Sequence, residues 1–219
     1  MAQVKEYWSD EIIVTYDAAR CIHVAECRRG LPQVFDTSKR PWIQTAHASA
    51  DEIAEVVMRC PTGALHFERK DGGPAEPIPT TNTIGLRANG PLYVRGDVEV
   101  TLGDGSVLKD TRVALCRCGA SNHKPFCDNS HRESGYVASG SLGENRARTV
   151  ELPDGAAQLK ITPGSNGPLR LVGNFELLST DGSVVYRGNR ASLCRCGGSA
   201  NKPFCDGTHS PIGFQAPGA

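Results

Sequence analysis

The sequence predicts an α+β chain of three small units, one mixed helix–strand unit followed by two β-rich ones built on a single plan. Three observations predict it. The first is a repeat: Gly90 to Val100 parallels Gly167 to Leu177 at an offset of 77, and Cys116 parallels Cys194 at 78. The second is a linker, Lys70 to Thr81, rich in Gly and Pro and poor in core residues, which reads as extended chain. The third is the nine cysteines, which divide without remainder into three sets of three. The expected units are residues 1–72, 84–140 and 158–219, with a second linker around Ser139 to Ala157.

Composition agrees with small, loop-rich units. The chain has 219 residues with 24 Gly, 14 Pro and 6% aromatics, a balance that suits units held by something besides a large core. Net charge is zero, so no general attraction to nucleic acid or to a membrane surface follows. No stretch approaches the ~20 apolar residues of a membrane span, and the first ten residues lack the apolar segment of a signal peptide. The expected location is the cytoplasm. There, an odd number of cysteines argues for metal over disulfides.

In the first unit, Ser9 to Tyr16 holds a β-branched run that reads as a strand. Cys21 to Gly30 reads as a loop or short helix stopped by Gly30. Ser49 and Glu52 form a capping box ahead of a helix whose Ile53, Val56, Val57 and Cys60 share one face. Pro61 is expected to end it, and Ala64 to Glu68 to close the unit as a strand. In the repeats, alternating apolar residues with Asp104-Gly105 and Asp181-Gly182 turns predict short antiparallel strands. One residue is inserted in the second copy between the counterparts of Leu108 and Leu115.

Each repeat ends in the same donor set. Cys116, Cys118, Cys127 and His131 recur as Cys194, Cys196, Cys205 and His209, with Pro125-Phe126 and Pro203-Phe204 before each third Cys. Asp128 and Asp206 stand at the position of a helix N-cap. That reading places each His at the third helical position, and the ligands at the positive helix end that favours thiolate. Two chemistries fit: a structural zinc site, or a 2Fe–2S centre with two sulfurs on one iron and Cys plus His on the other. Zinc usually takes two to four residues between paired Cys, and here there is one.

The two stretches resemble the signature of the CDGSH iron–sulfur family (mitoNEET type): Cys-x-Cys, Ser121 or Ser199, Pro125 or Pro203, then Cys-Asp-x-Ser/Thr-His. The resemblance covers residues 84–219. It implies a 2Fe–2S cluster with three Cys and one His at each site, Ser121, Asp128, Ser199 and Asp206 around the clusters, and two units packed as an intrachain pseudo-dimer. Asn129 replaces the motif's Gly, which copy two keeps as Gly207. Asn follows Gly most readily into the left-handed backbone, so the site is expected to survive.

Cys60-Pro61 after a helix, with Cys21 and Cys27 upstream, resembles a divergent single-cluster ferredoxin domain. The middle ligand position is Val24, which cannot bind iron. Three thiolates and a blank corner fit a 3Fe–4S cluster. His23 beside the gap offers the alternative of a fourth ligand to a 4Fe–4S cluster. His47, His66 and His123 have no sequence partners and read as ordinary residues.

The expected function is electron transfer by a multi-cluster iron–sulfur protein, not an enzyme: no phosphate loop, nucleophile elbow or paired carboxylates appear. Expected partners are redox proteins or apo cluster acceptors, and the expected state is a monomer with an internal pseudo-twofold. A second reading is cluster storage, donation or redox sensing through the labile His-ligated sites. A third is a zinc-bound interaction module.

Overall fold

Ser49 takes extended backbone and its hydroxyl accepts from the Glu52 amide, while the Glu52 carboxylate accepts from the Ser49 amide. The helix they start, α2 (Ala50–Met58), buries Ile53, Ala54, Val56 and Val57. The computed structural model describes residues 4–142, 150–152 and 158–219. It divides into two compact units at Pro77/Ile78.

The first unit is a three-stranded antiparallel sheet, β1 (Lys5–Trp8), β2 (Ile12–Tyr16) and β3 (Leu65–Arg69), in that order. Ile12, Val14, Leu65 and Phe67 join α2 in one core with Phe35 and Ile43. β1 has no counterpart among the sequence expectations, because only Tyr7 of its Lys-Glu-Tyr-Trp turns toward the core and a single position makes no alternation. The Cys21–Gly30 segment is a loop followed by the short α1 (Glu26–Gly30). α2 is capped at Arg59, which keeps helical backbone, and Cys60, the residue directly ahead of Pro61, is disfavoured in the helical region. His47 meets the Gln33 carbonyl at 3.1 Å and His66 pairs with Glu76 at 2.9 Å. These partners are distant in sequence and had no local signal.

The second unit is one six-stranded sheet. β4 (Thr83–Leu86), β5 (Leu92–Thr101) and β6 (Val107–Leu115) come from the first copy. β7 (Leu159–Pro163), β8 (Leu169–Leu178) and β9 (Val184–Leu193) come from the second. β5–β6 and β8–β9 are the two hairpins, and their turns place Gly105 and Gly182 at φ 82° and 87°. The inserted residue is absorbed as a bulge: Leu177 faces Tyr186 and Leu178 faces Val184, leaving Val185 unpaired.

The short strands join the copies. β4 runs antiparallel to the first half of β5 and parallel to β8. β7 does the converse, antiparallel to β8 and parallel to β5. Buried Asn82 secures the crossing: its Oδ1 accepts from Asp97 N and its Nδ2 donates to the Asn174 carbonyl, both within 2.9 Å. A Cβ on Gly96 would lie 2.1 Å from Asn82 Oδ1, so only glycine fits there. Ile84, Leu86, Val98 and Val113 then share one buried cluster with Leu159, Phe175, Leu177 and Leu193. Of the expected second linker, residues 143–149 and 153–157 lie outside the described residues.

Candidate metal centres

β6 delivers Cys116 and β9 delivers Cys194 to the end of the sheet. Each following loop folds back on its own strand: Cys116 N donates to the Pro125 carbonyl and Cys127 N to that of Ala114, at 2.8 and 2.9 Å. In copy two, Cys194 N donates to Pro203 and Cys205 N to Ser192, at 2.7 and 2.8 Å. The third Cys is thereby pinned beside the first pair. Ser121 and Ser199 are buried, and each hydroxyl donates to a loop carbonyl (Phe126 or Phe204) at 2.7 Å.

The donors fall into pairs. Cys116 and Cys118 Sγ are 3.7 Å apart and Cys194 and Cys196 Sγ 3.8 Å. Cys127 Sγ lies 3.5 Å from His131 Nδ1, and Cys205 Sγ 3.3 Å from His209 Nδ1. Two sulfurs at ~2.3 Å from a tetrahedral metal stand about 3.8 Å apart, and a sulfur and an imidazole nitrogen about 3.5 Å. Each pair thus has the bite of one metal ion. Among the described residues, no three His, Cys, Asp or Glu side chains converge on a single ion position.

The expected N-capped helix is not formed. Copy one has a single 3-10 turn, Ser130–Arg132, and copy two only turns. One turn has too few aligned peptides for a useful dipole. The sulfurs instead receive backbone amides: Ala120 N and Asn129 N point at Cys118 and Cys127, Gly198 N and Gly207 N at Cys196 and Cys205, all at 3.4 Å. Asp128 and Asp206 brace the loops, accepting from the amide two residues on and, across the loop, from Asn122 N or Ala200 N. Those bonds hold the Asp206 carboxyl well below the usual carboxylate range, with the Thr208 hydroxyl contributing most. Asn129 takes φ 76° where Gly207 takes 89°.

In the copy-one pair, Cys118 is pulled down to about 6, chiefly by its hydrogen bond with Cys116, while that bond and burial push Cys116 up. Burial pushes Cys127 up to about 11. The raised thiols, Cys116 and Cys127, lose their protons readily only when a metal cation takes the proton's place.

Sequence reasoning missed the residue inside each Cys-x-Cys. Arg117 and Arg195 are 1% exposed. Arg195 donates to the carbonyls of Gly167, Pro217 and Gly164, and Arg117 to those of Gly90 and Arg87. Their recurrence in both copies was the available signal. The Cys-x-Cys segments also meet: Cys118 and Cys196 form an antiparallel bridge. A Cβ on Gly119 would lie 2.5 Å from the Cys196 carbonyl oxygen, and one on Gly197 2.5 Å from that of Cys118.

In the first unit, Cys21, Cys27 and Cys60 line one small cavity with His23. His23 and Ala25 take left-handed φ of 52° and 66° in the loop that lines this cavity. Burial, then the charge of Cys60, raises Cys27 to about 11. His23 Nδ1 lies 4.0 Å from Cys21 Sγ.

Comparison with known proteins agrees with these groupings. The model for the divergent 4Fe-4S mono-cluster family matches residues 7–70. The model for the iron-binding zinc finger of CDGSH type matches twice, at 89–132 and 166–210. The chain carries two CDGSH-type iron-binding domains in tandem, fused to a divergent 4Fe-4S mono-cluster domain. Uncharacterized protein YjdI of Escherichia coli, in strain K12 and in O157:H7, is 31% identical to it over 64 residues. That match covers 29% of this chain and 84% of YjdI. No solved structure matches the chain. No helix among the described residues of this tandem CDGSH chain is long and apolar enough to cross a membrane.

Proposed function

We propose that this iron–sulfur protein is an electron carrier with two 2Fe–2S centres and one 3Fe–4S centre, and that it performs no substrate chemistry of its own. The supporting observation is the pairing of donors in each CDGSH loop: two single-metal bites side by side, where a structural zinc ion needs four donors around one point. Cys116, Cys118, Cys127 and His131 would hold one centre, and Cys194, Cys196, Cys205 and His209 the other, in an intrachain pseudo-dimer. Clusters bound there supply one-electron chemistry. The chain's residues hold and orient them, aim backbone amides at their thiolates, and keep the inner cysteines out of water.

At Cys21, Cys27 and Cys60 we favour 3Fe–4S. The 4.0 Å between His23 and Cys21 is close to the bite of a single metal, whereas ligands to separate corners of a cubane stand farther apart. A 4Fe–4S centre with His23 as fourth ligand is the alternative. Half-exposed His131 and His209 favour a second reading, cluster donation, because protonated imidazole releases its metal.

One set of measurements on aerobically purified protein tests this. Iron and acid-labile sulfide should match two 2Fe–2S and one 3Fe–4S, and EPR should show an oxidised 3Fe–4S signal before reduction. Fast, reversible reduction without iron loss supports the carrier, and transfer to an apo-ferredoxin within minutes supports the donor. Colourless, iron-free protein containing zinc would defeat both.

A further inference from the structure

The first unit has a second, larger cavity that the metal centres do not use. Its volume is about 590 Å³, within the ~300–1,000 Å³ typical of sites for small organic ligands. Cys21 and Cys27 line both this cavity and the small one described above, whereas Cys60 lines the small one alone. The space that all three thiols share therefore lies behind a common wall, and the larger cavity stands on the other side of the Cys21–Cys27 loop.

Two kinds of side chain make up its lining. Tyr7, Tyr16 and Trp42 form an aromatic wall. Trp42 meets Tyr16 edge-on with ring centres 4.9 Å apart, and Tyr7 edge-on at 6.3 Å. These rings are packed in place already, so a ligand need not order them. Lys5, Arg28 and Arg40 bring positive charge, and among the described residues no Asp or Glu lines the cavity. The carboxylates nearest in the chain are engaged elsewhere. Asp36 accepts from Ser38 N and Oγ at 2.9 and 2.7 Å, and Glu26 pairs with Arg29 at 2.6 Å. Arg40 Nη1 donates to the Thr37 and Lys39 carbonyls at 3.0 and 2.7 Å, which fixes its guanidinium. In a chain of zero net charge, three cations without a carboxylate are a local attraction for an anion.

We propose that this cavity binds a mononucleotide, with its planar heterocycle against Tyr7, Tyr16 and Trp42 and its phosphate drawn to Lys5, Arg28 and Arg40. Guanidinium and ammonium groups suit phosphate, and aromatic rings suit a flat heterocycle. A mononucleotide joins both features in one molecule of the right size. An acidic peptide would engage the cations and leave the rings without a partner. The shared chemistry is a phosphate joined to a planar ring, which a flavin or an adenine can each supply.

Calorimetric titration of the full chain with flavin mononucleotide and with adenosine monophosphate tests this, and the two arms identify the ring. At least one should bind saturably. Its unphosphorylated form (riboflavin or adenosine) and inorganic phosphate should each bind at least about tenfold more weakly. Lys5 and Arg28 are exposed, so Lys5→Glu with Arg28→Glu should keep the fold by circular dichroism and weaken binding by at least the same factor. The chain has two tryptophans, and Trp8, 71% exposed, does not line the cavity. In Trp8→Phe the emission of Trp42 should therefore change on saturation. Four results each overturn the proposal: no binding of either mononucleotide, binding unmoved by the charge reversals, unchanged Trp42 emission, or tighter binding of a glutamate-rich peptide. The site is read from the cavity alone, so failure of the cluster reading shows separately, as iron-free wild type.

Discussion

At the scale of single residues, the imidazoles and the loop aspartates carry separable roles. His131→Cys and His209→Cys should each lower the potential of their own centre, because thiolate returns negative charge to the cluster. The double variant should lose the pH dependence of the potential, and a titration that keeps its slope against pH would contradict the ligand assignment. Asp206 acts differently. Its carboxyl is held below the ordinary carboxylate value of about 3.9, so its bracing is fully present above that value and fades only as pH falls through the lower folded one. Cluster loss between pH 8 and 5, followed by visible bleaching, should therefore track the histidines. Asp206→Asn should speed bleaching across the whole range without moving its midpoint, since the neutral amide braces Thr208 and Ala200 less well.

At the scale of elements, each unit has a joint that can be tested without touching a ligand. Ser49→Ala removes the capping box of α2 and should cost about 1 kcal/mol in urea unfolding of the first unit. Gly119→Ala is more severe. Its φ of 84° already costs a side chain about 1–2 kcal/mol, and the new Cβ would press on the Cys196 carbonyl at 2.5 Å. The expected result is weakened iron retention in both copies, measured by iron content after gel filtration, because the bridge belongs to both loops. Weakening in copy one alone would mean that the loops are energetically independent. The helical pole expected behind each thiolate is replaced here by four amides at 3.4 Å, a local device that needs no helix.

At the scale of the whole molecule, the cores set which sites fail together. Phe175 and Leu177 of copy two pack in the same cluster as Ile84, Val98 and Val113 of copy one. Phe175→Ala should cost about 3–5 kcal/mol and reduce both CDGSH signals at once, leaving the EPR signal of the first unit. Ile53→Ala, in the separate core of that unit, should do the reverse. The amino-acid order by itself determined the donor sets, the repeat, the capped helix and the hairpin turns. The ligand spacing of each CDGSH loop, capping and turn chemistry are local properties, written within about fifteen residues, whereas Cys60 stands far from Cys21 and Cys27 in the chain. Only the tertiary structure decided that β4 and β7 cross between the copies, that Arg117 and Arg195 are buried, and that each of them lies over an aromatic ring. Those outcomes depend on which distant strands bury one another's apolar faces, and no local pattern encodes that choice.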